Sequence, residues 1–293
     1  MRKTKGVFPM EIKKICVVGG GLMGRQIALC AAIHGYDATL YDLKPEVLDA
    51  VKVWHEDYMA GRLAKGRMTE EEVAATNARF HLEPSLEKAV KDVDCVIECI
   101  IEVKEVKANF FRQVNELVGE DVLLCTNSSY MVSSLFADCV KNPSRLCNMH
   151  FYNPALVMKF VEVVQGPHTS EETARTAYEF CKSIGKTPIW QKKEIAGFAG
   201  NYLIAGLGER AKYLVENGYC TAQEVDIALE LGFNHKMGYF RMQDLTGVDL
   251  TYTMMKTRYE QTGVKPDMYD IYEQMVKENR LGRKTGHGFY DYE

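Results

Sequence analysis

Short compact apolar runs alternate with amphipathic stretches as far as residue 191, and helical periodicity takes over beyond it. The first run, residues 15–18, is β-branched and predicts a strand; residues 25–34 read as a helix that Gly35 ends. A second strand is predicted at 38–41. From there a long polar helical segment reaches about Asn77, broken near Gly61 and Gly66 and restarted by Thr69-Glu70-Glu71-Glu72, the pattern of a capping box. This is too long for a minimal crossover and predicts an excursion from the sheet. Strand-like runs recur at 94–101, 122–125, 146–151 and 159–164, separated by helical stretches. Thr169-Ser170-Glu171-Glu172 predicts the start of a helix closing near Gly185, and 187–191 is the last short strand. Residues 197–217 then show an amphipathic helix, Thr221-Ala222-Gln223-Glu224 caps another, and helices continue through Arg280 with no convincing strand.

Such alternation predicts an α/β protein with a mostly parallel sheet covered on both faces. Its strands' carboxyl ends, where ligands of such sheets bind, carry Glu102, Asn127, Ser128 and His150. The first strand is followed immediately by Gly19-Gly20-Gly21-Leu22-Met23-Gly24, a G-x-G-x-x-G run in the strand-to-helix context that gives the motif meaning. Gly19 permits the tight turn, Gly21 admits a pyrophosphate to the backbone, and Gly24 lets helix pack on strand. Asp42 closes the second strand about 20 residues on, where a carboxylate bonds a ribose 2′-hydroxyl and repels a 2′-phosphate. NAD is therefore the expected cofactor, in a Rossmann-type domain over residues 1–190. An all-α C-terminal domain is expected over 191–293.

The length of 293 residues supports two unequal domains, each with its own core. A net charge of -4, with 46% apolar and 26% charged residues, gives no general reason to expect nucleic-acid binding. Nine scattered cysteines without a C-x-x-C pair, and with no secretory leader before them, read as reduced core residues of a cytoplasmic protein. Cys95 and Cys99 read as packing residues, and no metal is expected. No apolar stretch approaches the ~20 residues that cross a bilayer, so no membrane partner is expected. The basic start, Met1 to Lys5, lacks the continuation of a targeting peptide and reads as a short exposed tail. Arg62, Lys65 and Arg67 make the turn near Gly66 locally basic.

The candidate chemistry centres on His150, which opens His150-Phe151-Tyr152-Asn153-Pro154, and on Glu162 inside Phe160-Val161-Glu162-Val163-Val164. A carboxylate in an apolar strand is costly to bury without a polar partner, and the histidine just upstream is the obvious one. Oxidising an alcohol with a dinucleotide needs a base for the hydroxyl proton. An imidazole, with an intrinsic pKa of ~6.5, suits the task, and a neighbouring carboxylate would fix its tautomer and stabilise the imidazolium.

With these residues in view, the sequence resembles the short-chain L-3-hydroxyacyl-CoA dehydrogenases, including bacterial 3-hydroxybutyryl-CoA dehydrogenases. The resemblance runs nearly end to end, through the glycine motif, Ile97-Glu98-Cys99-Ile100-Ile101-Glu102, Asn127-Ser128-Ser129, Met149-His150-Phe151-Tyr152-Asn153-Pro154, Gly197-Phe198-Ala199-Gly200-Asn201 and Gly282-Arg283-Lys284-Thr285-Gly286-His287-Gly288-Phe289-Tyr290. It implies that His150 is the base and Glu162 its partner, with Ser128 and Asn201 holding the substrate oxygen. It further implies cofactor contacts from Glu102, Lys107, Ser128, Asn153 and Lys284, a coenzyme A contact from Lys65 or a nearby basic residue, and a homodimer formed through the helical domain. Tyr130, Val103, Lys236 and Tyr239 depart from the family's usual pattern, and Tyr130 is expected to narrow the acyl site. The activity expected is reversible NAD-dependent oxidation of an L-3-hydroxyacyl-CoA. Oxidation of a free 3-hydroxy acid, such as carnitine or a sugar acid, is the alternative; a non-catalytic NAD-binding protein is the third reading.

Overall fold

The computed structural model describes residues 10–292; the basic start at Met1 to Lys5 lies outside them. The chain divides into two compact units, the first ending at Ala199 and the second starting at Gly200.

The first unit is built on an eight-stranded sheet: β1 (Lys14–Val18), β2 (Asp37–Tyr41), β3 (Phe80–Glu83), β4 (Cys95–Glu98), β5 (Leu123–Thr126), β6 (Leu146–Phe151), β7 (Phe160–Val164) and β8 (Thr187–Gln191). Their spatial order is β3-β2-β1-β4-β5-β6-β7-β8, and only the β6–β7 pair is antiparallel. Alternate residues of the central strands enter two separate cores: Ile15, Val17, Ile97 and Cys125 on one face, Cys16, Val18, Val96 and Leu124 on the other. Burial on both faces explains why these strands read as unbroken apolar runs. Helices α1 (Leu22–Ile33) and α6 (Glu171–Ser183) supply Ile27, Ala28, Ala177 and Phe180 to the first core. The second core takes Phe110 and Phe111 from α5 (Lys104–Leu117), with α4 (Leu86–Ala89) beside them.

The polar excursion consists of α2 (Pro45–Ala64) and α3 (Glu70–Asn77). Thr69 and Glu72 form the predicted capping box, each side chain bonded to the other's amide. The chain then returns as β3, a strand the sequence pattern does not predict: it lies at the sheet edge, and only Phe80 of its four residues is buried. Two other expectations need correction. The run at 94–101 is a strand only over Cys95–Glu98, because the Ile100 amide turns back to donate to Glu98 Oε1 at 2.7 Å. The cap of α6 is Ser170, which accepts from the Thr173 amide; the Thr169 hydroxyl is buried and donates instead to the Leu146 carbonyl at 2.6 Å.

The second unit contains most of α7 (Phe198–Glu216), then α8 (Ala222–Ile227), α9 (Tyr239–Thr246), α10 (Val248–Thr262) and α11 (Tyr269–Lys277) around Phe240, Val248 and Tyr272. Thr221 and Glu224 form the second predicted capping box. Asp244, 1% exposed, accepts from the Phe289 and Tyr290 amides and so holds the chain's end against α9. Among the described residues its strand-like pairing is confined to isolated bridges at Gly282, His287 and Asp291. No helix among the described residues is long and apolar enough to cross a membrane.

Candidate active site

Neighbouring strands β1 and β4 are where the sheet order reverses, which opens a crevice at their carboxyl ends. Gly19 leaves β1 with φ +105, and a Cβ there would stand 2.7 Å from the Cys99 carbonyl oxygen. At Gly24 a Cβ would fall 1.8 Å from the Gly19 oxygen, whereas one on Gly21 would meet nothing within 4 Å. The loop is thus closed on its protein side and open on its outer side. Gly21 caps α1 without a side-chain bond and the first turn has no acidic residue, so Leu22 and Met23 begin a helix end suited to an anion. Asp42, just past β2, accepts from the Gly20 amide at 2.7 Å and the Lys44 amide at 2.9 Å, which aims its carboxylate at the same loop. A pyrophosphate and its adjoining ribose fit this cradle. Gly24→Ala is expected to displace the Gly19 carbonyl, weaken NADH binding at least about tenfold and destabilise the unit by about 1–3 kcal/mol. Fluorescence titration and urea unfolding measure the two effects.

Behind the crevice lies a buried ion pair. Lys107, 1% exposed, donates to Glu98 Oε1 at 2.6 Å, and Glu98, fully buried, also accepts from Thr126 Oγ1 at 2.7 Å. Lys107 Nζ is 3.1 Å from Glu102 Oε2 as well. The half-exposed Glu102 in turn accepts from the Ser128 hydroxyl, whose oxygen takes the Met131 amide at 2.8 Å. Burial raises the Glu98 carboxyl above the usual carboxylate range, against the lowering exerted by Lys107, Thr126 and the Ile100 amide. Sequence reasoning overlooked Glu98 although it carries the same signal as Glu162, a carboxylate within an apolar strand.

His150 and Glu162 are directly opposed in the antiparallel β6–β7 register. His150 Nδ1 lies 2.8 Å from Glu162 Oε2, with the two side chains 4% and 0% exposed. Opposed residues of an antiparallel pair project to the same face, so the register itself brings the groups together. Two further residues complete this wall. The Tyr152 hydroxyl donates to Glu162 Oε2 at 3.1 Å, and the fully buried Phe198 ring is centred 5.4 Å from the imidazole. Glu194 braces the neighbouring loop, accepting from the Ser133 hydroxyl and the Ser134 amide at 2.9 Å each. Neither the Tyr152 nor the Glu194 contact has a local sequence signal: that of Tyr152 depends on how β6 pairs with β7, and that of Glu194 on the meeting of segments some 60 residues apart.

The remaining candidates are more scattered. Asn153 is exposed in the loop after β6, and Lys65 is exposed at the end of α2. Asn201 is half-buried in α7. Lys284 sits in a short turn of the second unit with its ammonium 2.5 Å from Asp249 Oδ1.

Comparison with known proteins follows the same two-part layout. Residues 14–195 match the NAD binding domain of 3-hydroxyacyl-CoA dehydrogenase, and residues 197–292 match its C-terminal domain. The probable 3-hydroxybutyryl-CoA dehydrogenase of Bacillus subtilis is 34% identical over 97% of this chain and 99% of its own length. The 3-hydroxybutyryl-CoA dehydrogenase of Clostridioides difficile is 33% identical over 95% of this chain and 99% of its own. The crystal structure of (S)-3-hydroxybutyryl-CoA dehydrogenase from Ralstonia eutropha superimposes with a TM-score of 0.86 at 29% identity, covering 97% of this chain and all of that one. This chain belongs to the 3-hydroxyacyl-CoA dehydrogenase family of NAD-dependent oxidoreductases.

Proposed function

We propose that the protein reversibly oxidises a short-chain L-3-hydroxyacyl-CoA to the 3-ketoacyl-CoA, with His150 taking up the hydroxyl proton and Glu162 holding the imidazole. The observation that carries this reading is the 2.8 Å contact of His150 Nδ1 with Glu162 Oε2, in register on paired strands of the NAD-binding unit. The carboxylate fixes Nδ1 as the protonated nitrogen and leaves Nε2 to accept the substrate's proton. NAD, when bound, supplies the hydride acceptor. In the reverse direction protonated His150 returns the proton to the ketone oxygen.

Ser128 and Asn201 are assigned to the substrate oxygen. The glycine loop, from Gly19 through Gly24, takes the pyrophosphate, and Asp42 the adenosine ribose. Glu102, Asn153 and Lys284 are assigned to the remainder of the cofactor, with Lys107 acting through Glu102 because its own ammonium is buried. Lys65, exposed in the basic turn, is assigned to coenzyme A. Exposed Leu203, Leu231 and Phe233 of the second unit support a homodimer formed there. Nine free cysteines, seven of them buried, support a reducing, cytoplasmic location.

The test is NADH consumption over a series of 3-ketoacyl-CoA lengths, with acetoacetate as the free-acid control. Turnover is expected to be greatest with acetoacetyl-CoA and to be small with acetoacetate. Activity confined to the free acid would overturn the assignment.

A further inference from the structure

Tyr152 follows β6 directly, two residues beyond His150. Its hydroxyl donates to Glu162 Oε2 at 3.1 Å, and that is the oxygen His150 Nδ1 contacts at 2.8 Å. The Tyr152 ring is fixed between neighbours, with its centroid 4.7 Å from that of His150 and 5.2 Å from that of Phe160. One carboxylate oxygen has lone pairs enough for both donors, yet each draws on the same negative charge.

We propose that Tyr152 is a positioning residue that tempers the Glu162 carboxylate and thereby sets the pH range over which His150 exchanges its proton. The proposal rests on the reading of His150 and Glu162 as the acid/base pair. Charge on Oε2 that is taken up by the phenol is not available to stabilise an imidazolium. Without the phenol, Oε2 holds the protonated ring more firmly. Oxidation needs the neutral ring and reduction the protonated one, so both pH limits rise together when the hydroxyl is removed.

The surroundings favour this role. Burial, and then the Glu162 charge, raise the Tyr152 phenol above its usual range, which keeps it a donor throughout the neutral region. Strand β8 places Ile189 beside Glu162, β5 ends in Thr126 with Asn127 following, and the first residue of α7 contributes the apolar ring of Phe198. On the β5 side the charged groups are Glu102, bonded by Ser128, and Lys107, paired with Glu98.

Tyr152→Phe tests it, because the ring is kept and one hydroxyl is lost. The acid limb of kcat/KM for oxidation, and the alkaline limb for ketone reduction, are each expected to move up by about half to one pH unit. NADH affinity should not change. Replacement of Tyr152 by 3-fluorotyrosine retains the ring and gives a stronger donor, so both limbs should move down. Unmoved limbs in either folded variant overturn the proposal, even if the melting temperature falls. His150→Gln separates this from failure of the underlying reading: near-normal turnover there would remove the acid/base pair itself, whereas an inactive His150→Gln with unmoved Tyr152 profiles removes only the role of Tyr152.

Discussion

Replacing His150 with Gln is expected to lower turnover in both directions by about 10²- to 10⁴-fold, the usual contribution of a positioned acid/base group. Glutamine retains an N–H that can meet Glu162, so the buried carboxylate keeps a donor there besides the 3.1 Å bond from Tyr152. On the proposed mechanism, oxidation loses its proton acceptor and reduction its donor. By microscopic reversibility the two rates should fall by similar factors. The glycine loop joins β1 to α1, and β1 stands three strands from β6 in the sheet order, so NADH affinity should be retained. Steady-state NADH absorbance in both directions, together with a fluorescence titration of NADH, measures these effects. Loss of turnover accompanied by loss of NADH binding would point to a folding defect instead.

The second large effect is on stability. Lys107→Met is expected to cost about 3–5 kcal/mol, because it leaves the Glu98 carboxylate buried without its counter-ion. The side chains of the pair are 1% and 0% exposed, and the contact is 2.6 Å. The cost should depend on pH. Burial already raises the Glu98 carboxyl, and removing Lys107 takes away the largest opposing influence. A carboxyl whose folded pKa lies above its unfolded one binds its proton more tightly in the folded state. Its contribution is full below the unfolded value of ~4.3 and is lost as pH rises through the folded pKa. Urea unfolding should therefore show a smaller deficit near pH ~5 than near pH ~8. Pairing the change with Glu98→Gln removes the stranded charge and should restore much of the loss. A deficit independent of pH, or one not relieved by Glu98→Gln, contradicts this account of the ion pair.

The legible parts of the sequence were those whose patterns follow from local geometry. Strands β1, β4, β5 and β6 are buried on both faces and hence read as apolar runs, while the glycine loop declared itself by spacing. The edge strand β3 did not, because His81 and Glu83 need only half-cover a sheet that ends there. Glu162 stood out as a carboxylate among apolar neighbours, and it predicted a partner. That His150 lies directly opposite it depends on antiparallel register, which the intervening loop determines. Thr169 and Ser170 are both plausible caps from their residue types alone. What chose between them was the Leu146 carbonyl, a tertiary partner that local pattern does not reveal. The hydroxyl of Tyr152 is the same kind of case: within His150-Phe151-Tyr152 it reads as another aromatic, and only the fold brings it to Glu162.

The proposed activity is tested in a single assay in which purified protein meets NADH and acetoacetyl-CoA, with absorbance following the nucleotide and chromatography following the thioester. One NADH is expected to be consumed for each 3-hydroxybutyryl-CoA formed. NADH that binds but is not consumed with acetoacetyl-CoA or its longer homologues would contradict it.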